Sequence, residues 1–216
     1  MLDLTGTWDE SVLKAHEEMI KEQDTRELGK IRAIASEHIV KEVLNKSFEG
    51  ERSFLRREDI QAEIENGRKH LLSATTQHEA SKFDRNQSGF DLLSENGLRC
   101  QVKYRGKDLH LENTRRHSKK NKGAASATGH TAYSLDEADV FIFVVPRSPN
   151  ARVTNNLSDS KIVAIPSTSL EDTKNPGFLR PRISKRVFEQ WASKDVISVI
   201  RELDNKKKHQ TKEKTL

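Results

Sequence analysis

The sequence predicts a mixed fold of the α/β (α+β) class: a mixed central β-sheet flanked by helices, in one domain over residues 1–204. Three observations carry that expectation. Ala138 to Val145 (ADVFIFVV) is almost continuously apolar and β-branched, as a central strand covered on both faces would be. Gly89 to Arg105 (GFDLLSENGLRCQVKYR) reads as two short strands joined by a tight turn. Helical periodicity lies before and after these strands rather than between them. The core strands therefore fall within residues 88–166, the N-terminal helices within 8–46 and the C-terminal helices within 183–203.

The chain of 216 residues fits one domain. Hydrophobic and charged residues each make up 33%, a polar balance that still leaves clear apolar strands for one core. The net charge of +5 favours a polyanionic partner. The single cysteine excludes an internal disulfide and suits a reducing cytoplasm. No apolar run approaches a membrane span, and the N-terminus lacks a charged-then-apolar signal pattern. The eight histidines and the cysteine show no zinc-ligand spacing. A phosphate-binding glycine loop and internal repeats are absent as well.

In chain order, Thr7 with Glu10 forms a capping box that opens a helix through Glu22. A second helix spans Thr25 to Asn45. Leu28, Ile31, Ala35, Ile39 and Val43 give it one apolar stripe, and Ile34, Val40 and Leu44 a second sector. Glu37 lies inside that second sector, where a carboxylate is costly unless paired or bound to a metal. Gly29 leaves room for close approach of a neighbouring element. Residues 47–56 read as a loop, Arg57 to Leu72 as a helix weakened by Gly67, and residues 73–88 as polar and turn-like. After the hairpin, Gly106 to Tyr133 is basic, and Asn113 to Thr131 lacks any bulky apolar residue. Such a stretch buries little and predicts a loop or a polar helix. Pro146 and Pro149 end the central strand. Lys161 to Ile165 (KIVAI) is the next strand, stopped by Pro166. Residues 166–182 read as a loop with a turn at Pro176-Gly177. Two short helices follow, Ile183 to Ala192 and Lys194 to Leu203. Residues 205–216, with Lys206, Lys207 and Lys208, predict a basic disordered tail.

The hairpin holds the residues with chemistry. Strand side chains alternate, so Gln101 and Lys103 point one way and Cys100, Val102 and Tyr104 the other. A two-residue turn at Asn96-Gly97 would place Asp91 opposite Val102, facing away from Lys103. A three-residue loop, Glu95-Asn96-Gly97 with Gly97 left-handed, places Asp91 opposite Gln101 instead. Only this second register puts Phe90, Leu92, Cys100 and Val102 on one apolar face, so it is the one predicted.

Asp91 followed by Gln101-Val102-Lys103 resembles the PD-(D/E)XK nuclease superfamily, which includes most type II restriction endonucleases. The family pattern sets an acid on one strand and Glu/Asp-x-Lys on the next; Gln101 stands here where a carboxylate is usual. The resemblance implies a restriction-endonuclease-like core and metal-dependent hydrolysis of double-stranded DNA by a type II restriction enzyme. It makes Asp91, Gln101 and the Val102 carbonyl ligands of Mg2+, for which Mn2+ can substitute, and Lys103 the catalytic lysine. The run around Glu37 resembles the first helix of the family core, which makes Glu37 a further catalytic and metal-binding acid. Asp84 is the rival first acid. Beside such a site, Arg105, Lys107, Arg115, Arg116, Lys119, Lys120 and Lys122 read as a clamp on the DNA backbone. A palindromic target implies a homodimer. Two alternatives stay open: a structure-specific nuclease of junction-resolving or homing type, and a catalytically inert nucleic-acid-binding protein of the same fold, which the neutral Gln101 favours.

Overall fold

A computed structural model provides the structure, which describes residues 2–3, 25–48, 53–81, 90–105, 109, 111, 133–146 and 160–213. Its centre is a six-stranded mixed sheet. The strands are β1 (Leu2–Asp3), β2 (Phe54–Arg56), β3 (Leu92–Ser94), β4 (Arg99–Tyr104), β5 (Val140–Pro146) and β6 (Ser160–Pro166). Across the sheet they lie in the order β1-β6-β5-β4-β3-β2. Strands β4 and β5 are parallel, and the other neighbours are antiparallel. Among the described residues the α-helices are α1 (Thr25–Ser47), α2 (Arg57–Glu65), α3 (Ala74–Ser81), α4 (Lys185–Ala192) and α5 (Val196–Glu213), with a small hairpin of β7 (Glu171–Asp172) and β8 (Asn175–Leu179). The mixed α/β architecture is the one expected, with helices before and after the central strands. Among the described residues no helix is long and apolar enough to cross a membrane.

Alternation on the strands builds a core on each face of the sheet. Cys100, Val102, Val140, Ile142, Val144, Ile162 and Ala164 pack against Ala35, Ile39, Val40 and Leu44 of α1 and against Val196, Val199 and Ile200 of α5. On the opposite face, Phe141, Phe143, Val145, Val163 and Ile165 meet Leu111, Tyr133, Leu170, Leu179 and Ile183, with Val187 and Phe188 of α4 packed alongside. Both faces of β5 are thus buried, as its unbroken apolar sequence requires. A smaller cluster of Leu55, Ile60, Leu72, Ala80, Phe90 and Leu93 seats α2 and α3 at the β2–β3 end.

Several elements depart from the sequence expectation, each for a contact made at a distance. Phe54–Arg56 lies in the expected loop but forms an edge strand, because the Asn45 side chain acts as a strand partner for Phe54. Its amide donates to the Phe54 carbonyl (3.1 Å), and its oxygen accepts from the Phe54 N–H (2.7 Å). The helix expected to reach Leu72 stops at Glu65, where Gly67 turns left-handed (φ +71°). Residues 73–88 were expected to be turn-like, yet Ser73 accepts a bond from the Thr76 N–H (3.1 Å) and α3 follows it. Pro176-Gly177 sits within β8, and the turn itself comes earlier, where the Asp172 carboxylate accepts from the Lys174 N–H (3.0 Å). Gly29 is exposed, and a Cβ there would meet nothing within 4 Å, so no close approach explains it. The expected Thr7–Glu22 helix and Asp84 lie outside the described residues.

The last helix corrects the expected disordered tail. α5 continues past Leu203 to Glu213. Two carboxylates hold it. Asp204, buried on α5, accepts from the Ser94 hydroxyl and from the Asn96 amide (2.6 Å) of the hairpin loop. Lys207 reaches Asp139 at 2.8 Å. Burial alone would raise the Asp139 pKa, but its bonds to Arg99 and Lys207 hold it below the ordinary 3.8.

Candidate active site

The β3–β4 hairpin forms in the three-residue-loop register. Leu92 pairs with Cys100 and Leu93 with Arg99. Ser94 closes the loop: its N–H donates to the Leu98 carbonyl (3.0 Å) and its carbonyl accepts from the Gly97 N–H (3.0 Å). Gly97 has φ +89°, and an added Cβ would come within 2.8 Å of the Thr75 methyl, so glycine is required on both counts.

That register brings Asp91 onto Gln101. Strand β3 is only three residues long; beyond it the backbone ladder against β4 keeps the bond from the Asp91 N–H to the Cys100 carbonyl (2.8 Å). The Asp91 carboxylate continues it: Oδ2 accepts from the Val102 N–H (2.8 Å) and from the Gln101 amide nitrogen. Gln101 is buried at 4% exposure. Its amide thus presents nitrogen to the carboxylate, where a shared cation would need its oxygen; a half-turn of the amide exchanges the two. The Asp91 carbonyl accepts from the Arg57 N–H (3.1 Å), tying this point to the start of α2.

Glu37 reaches the same corner from α1. Burial and the neighbouring Asp91 charge push its carboxyl up from 4.5 to about 7, against the pull of Arg56. The Arg56 guanidinium lies 3.1 Å from Glu37 and 3.0 Å from Glu58. Its other nitrogen sits 2.7 Å from His38 Nε2, and burial followed by the Arg56 charge lowers the His38 pKa. Arg56 was not foreseen from the sequence, because it falls in the stretch that reads as a loop.

Lys103 lies two residues beyond Gln101 on the same face of β4. Its ammonium sits 5.1 Å from the centre of the Tyr133 ring. In the parallel register Gln101 lies beside Phe141 and Lys103 beside Phe143, so the two side chains stand next to aromatic residues on the same sheet face. Arg105, expected to face a nucleic acid, is half-buried and donates to the Tyr104 carbonyl (3.0 Å). Burial lowers its pKa from the ordinary value. Lys107, Arg115, Arg116, Lys119, Lys120 and Lys122 lie outside the described residues.

The structure therefore brings Asp91, Gln101 and the Val102 backbone together, sets Glu37 within electrostatic reach, and leaves Lys103 along the strand above Tyr133. Among the described residues no three His, Cys, Asp or Glu side chains gather as a metal cluster. The donors present are oxygens of two carboxylates, an amide and a carbonyl, which suit a hard cation. Burial first, and then the Asp91 charge, raise the Glu37 carboxyl, and a cation between the two acids would relieve the second of these causes. No protein-family model, curated protein or solved structure matches this chain, so any functional reading rests on its own residues.

Proposed function

We infer that the protein is a metal-dependent endonuclease acting on double-stranded DNA, of the type II restriction kind, with a restriction-endonuclease-like core. The observation that carries this reading is the Asp91–Gln101 contact beside a Glu37 carboxyl raised to about 7 by burial and Asp91. A carboxyl perturbed by burial together with a specific charged neighbour is a candidate for a functional site. Asp91, Gln101, Glu37 and the Val102 carbonyl would hold magnesium or manganese. When bound, the ion would neutralise charge developing on a phosphate. The chain's own groups do the rest. Asp91 fixes the hairpin edge, and the Lys103 ammonium orients a water for attack on phosphorus. Arg56 balances the charge on Glu37 before DNA arrives. The basic segment over residues 106–132 supplies backbone contacts, and a homodimer would match a palindromic target.

A second reading has its own observation. The Gln101 amide already satisfies the Asp91 carboxylate, as it would in an inert nucleic-acid-binding protein of this fold. Incubation of a mapped plasmid with magnesium separates the two. Discrete fragments are expected from the wild-type chain. The Lys103→Ala and Asp91→Asn variants should cut at least about 100-fold more slowly. Binding without cleavage, unaffected by magnesium or by Lys103→Ala, would establish the inert reading instead.

A further inference from the structure

We propose that Tyr133 is the positioning residue for Lys103, its ring fixing the ammonium on the Gln101 face of β4. This rests on the nuclease reading and names a residue that the hairpin motif does not contain. The Lys103 ammonium lies 5.1 Å from the Tyr133 ring centroid, within the range of a cation–π contact. The ring itself is held. Tyr133 is 4% exposed, and it meets Phe141 edge-on with centroids 5.3 Å apart and planes at 79°. Phe141 in turn stacks near Phe143 at 6.4 Å. The Tyr133 carbonyl accepts from the Leu179 N–H at 2.8 Å, which locks its backbone to β8.

The chemistry needs such a device. A lysine carries four rotatable bonds, and an unheld ammonium visits many positions for each one that can orient a water. Among the carboxylates named in the site, Asp91 is engaged by Gln101 and Val102, and Glu37 by Arg56. An aromatic face attracts the ammonium without neutralising it, so the charge stays available to substrate. Phe141, which meets Tyr133 edge-on, lies beside Gln101 in the strand register, and Phe143 lies beside Lys103.

The test uses the full chain and two readings. The first is the side-chain 13C signal of Lys103, assigned with a Lys103→Arg variant. In wild type and in Tyr133→Phe it should be shifted upfield by the ring current, and in Tyr133→Leu it should return to the solvent-exposed position. The second is cleavage kinetics with magnesium. Tyr133→Leu should lower kcat about tenfold with KM for DNA unchanged, and Tyr133→Phe should restore the rate. An unshifted Lys103 signal in wild type overturns the proposal even if the leucine variant fails to fold. Wild-type turnover in folded Tyr133→Leu, or a phenylalanine variant as slow as the leucine one, overturns it as well. A wild-type chain that cuts no DNA sinks the nuclease reading, and the proposal with it.

Discussion

Gln101 is buried against a carboxylate, and that single neutral residue sets the charge of the site. Restoring a carboxylate there gives a sharp expectation. In Gln101→Glu two acids would touch in the absence of a cation, and the fold should lose about 3 kcal/mol. Millimolar magnesium should return most of that loss, as read by urea unfolding in chelator and in magnesium; a loss that magnesium does not reverse would exclude a cation site at Asp91. Glu37 makes a separate prediction through pH. Burial and Asp91 raise its folded pKa from 4.5 to about 7, so the folded state holds the proton more tightly than the unfolded chain. Stability from this group is full below pH 4.5 and falls as pH rises through 7. Glu37→Gln, which cannot ionise, should therefore gain on wild type as pH climbs from 5 to 8 in urea titrations. A stability difference constant across that range would mean that Glu37 is not perturbed.

At the scale of elements, α5 and the β3–β4 hairpin are one unit joined by a buried acid. Asp204 accepts from Ser94 and Asn96, at the loop whose register places Asp91. Asp204→Ala leaves these donors without their charged partner and should cost about 3 kcal/mol, because buried bonds to a charged group are expensive to leave unmade. Magnesium-dependent cleavage should fall with it at temperatures where the chain stays folded, since the loop then loses its anchor. A variant as stable as wild type would show that α5 is not needed to hold the hairpin. The same contrast explains what the sequence could and could not reveal. The hairpin register was legible in the alternation that sets Leu92, Cys100 and Val102 on one core face, but Phe90, expected on that face, packs instead with Leu93 at the β2–β3 end, and Gln101 on the other face is buried too. The second helix and the β5 strand were legible from local periodicity and from a run of β-branched residues. Strand β2 was not, because Phe54 is fixed by Asn45 rather than by its own neighbours. The end of α5 was not, because a lysine-rich stretch becomes helix only through Asp204 and the Lys207–Asp139 pair. Arg56 and Tyr133 gave no motif signal, since each acts through residues far away in the chain.

Over the whole molecule, a net charge of +5 and the cationic stretch between Lys107 and Lys122 raise the question of what the excess charge does. If it grips a DNA backbone, binding must release counterions and weaken with salt. If it is only a solvated surface, binding will show little salt response. The affinity of the Lys103→Ala chain for a duplex, measured from 50 to 300 mM salt without cleavage, separates the two. Each neutralised phosphate should contribute about −0.9 to the slope of log affinity against log salt. Replacing Arg115, Arg116, Lys119, Lys120 and Lys122 together by glutamine should flatten that slope by up to about 4.5 and weaken binding at low salt most. Lys103→Ala itself should shift the slope by no more than about 1 relative to wild type in chelator, because one ammonium meets one phosphate. An unchanged slope in the five-residue variant would move the DNA contact elsewhere, to the exposed Lys206 and Lys208 on α5, and leave the hairpin site without its clamp.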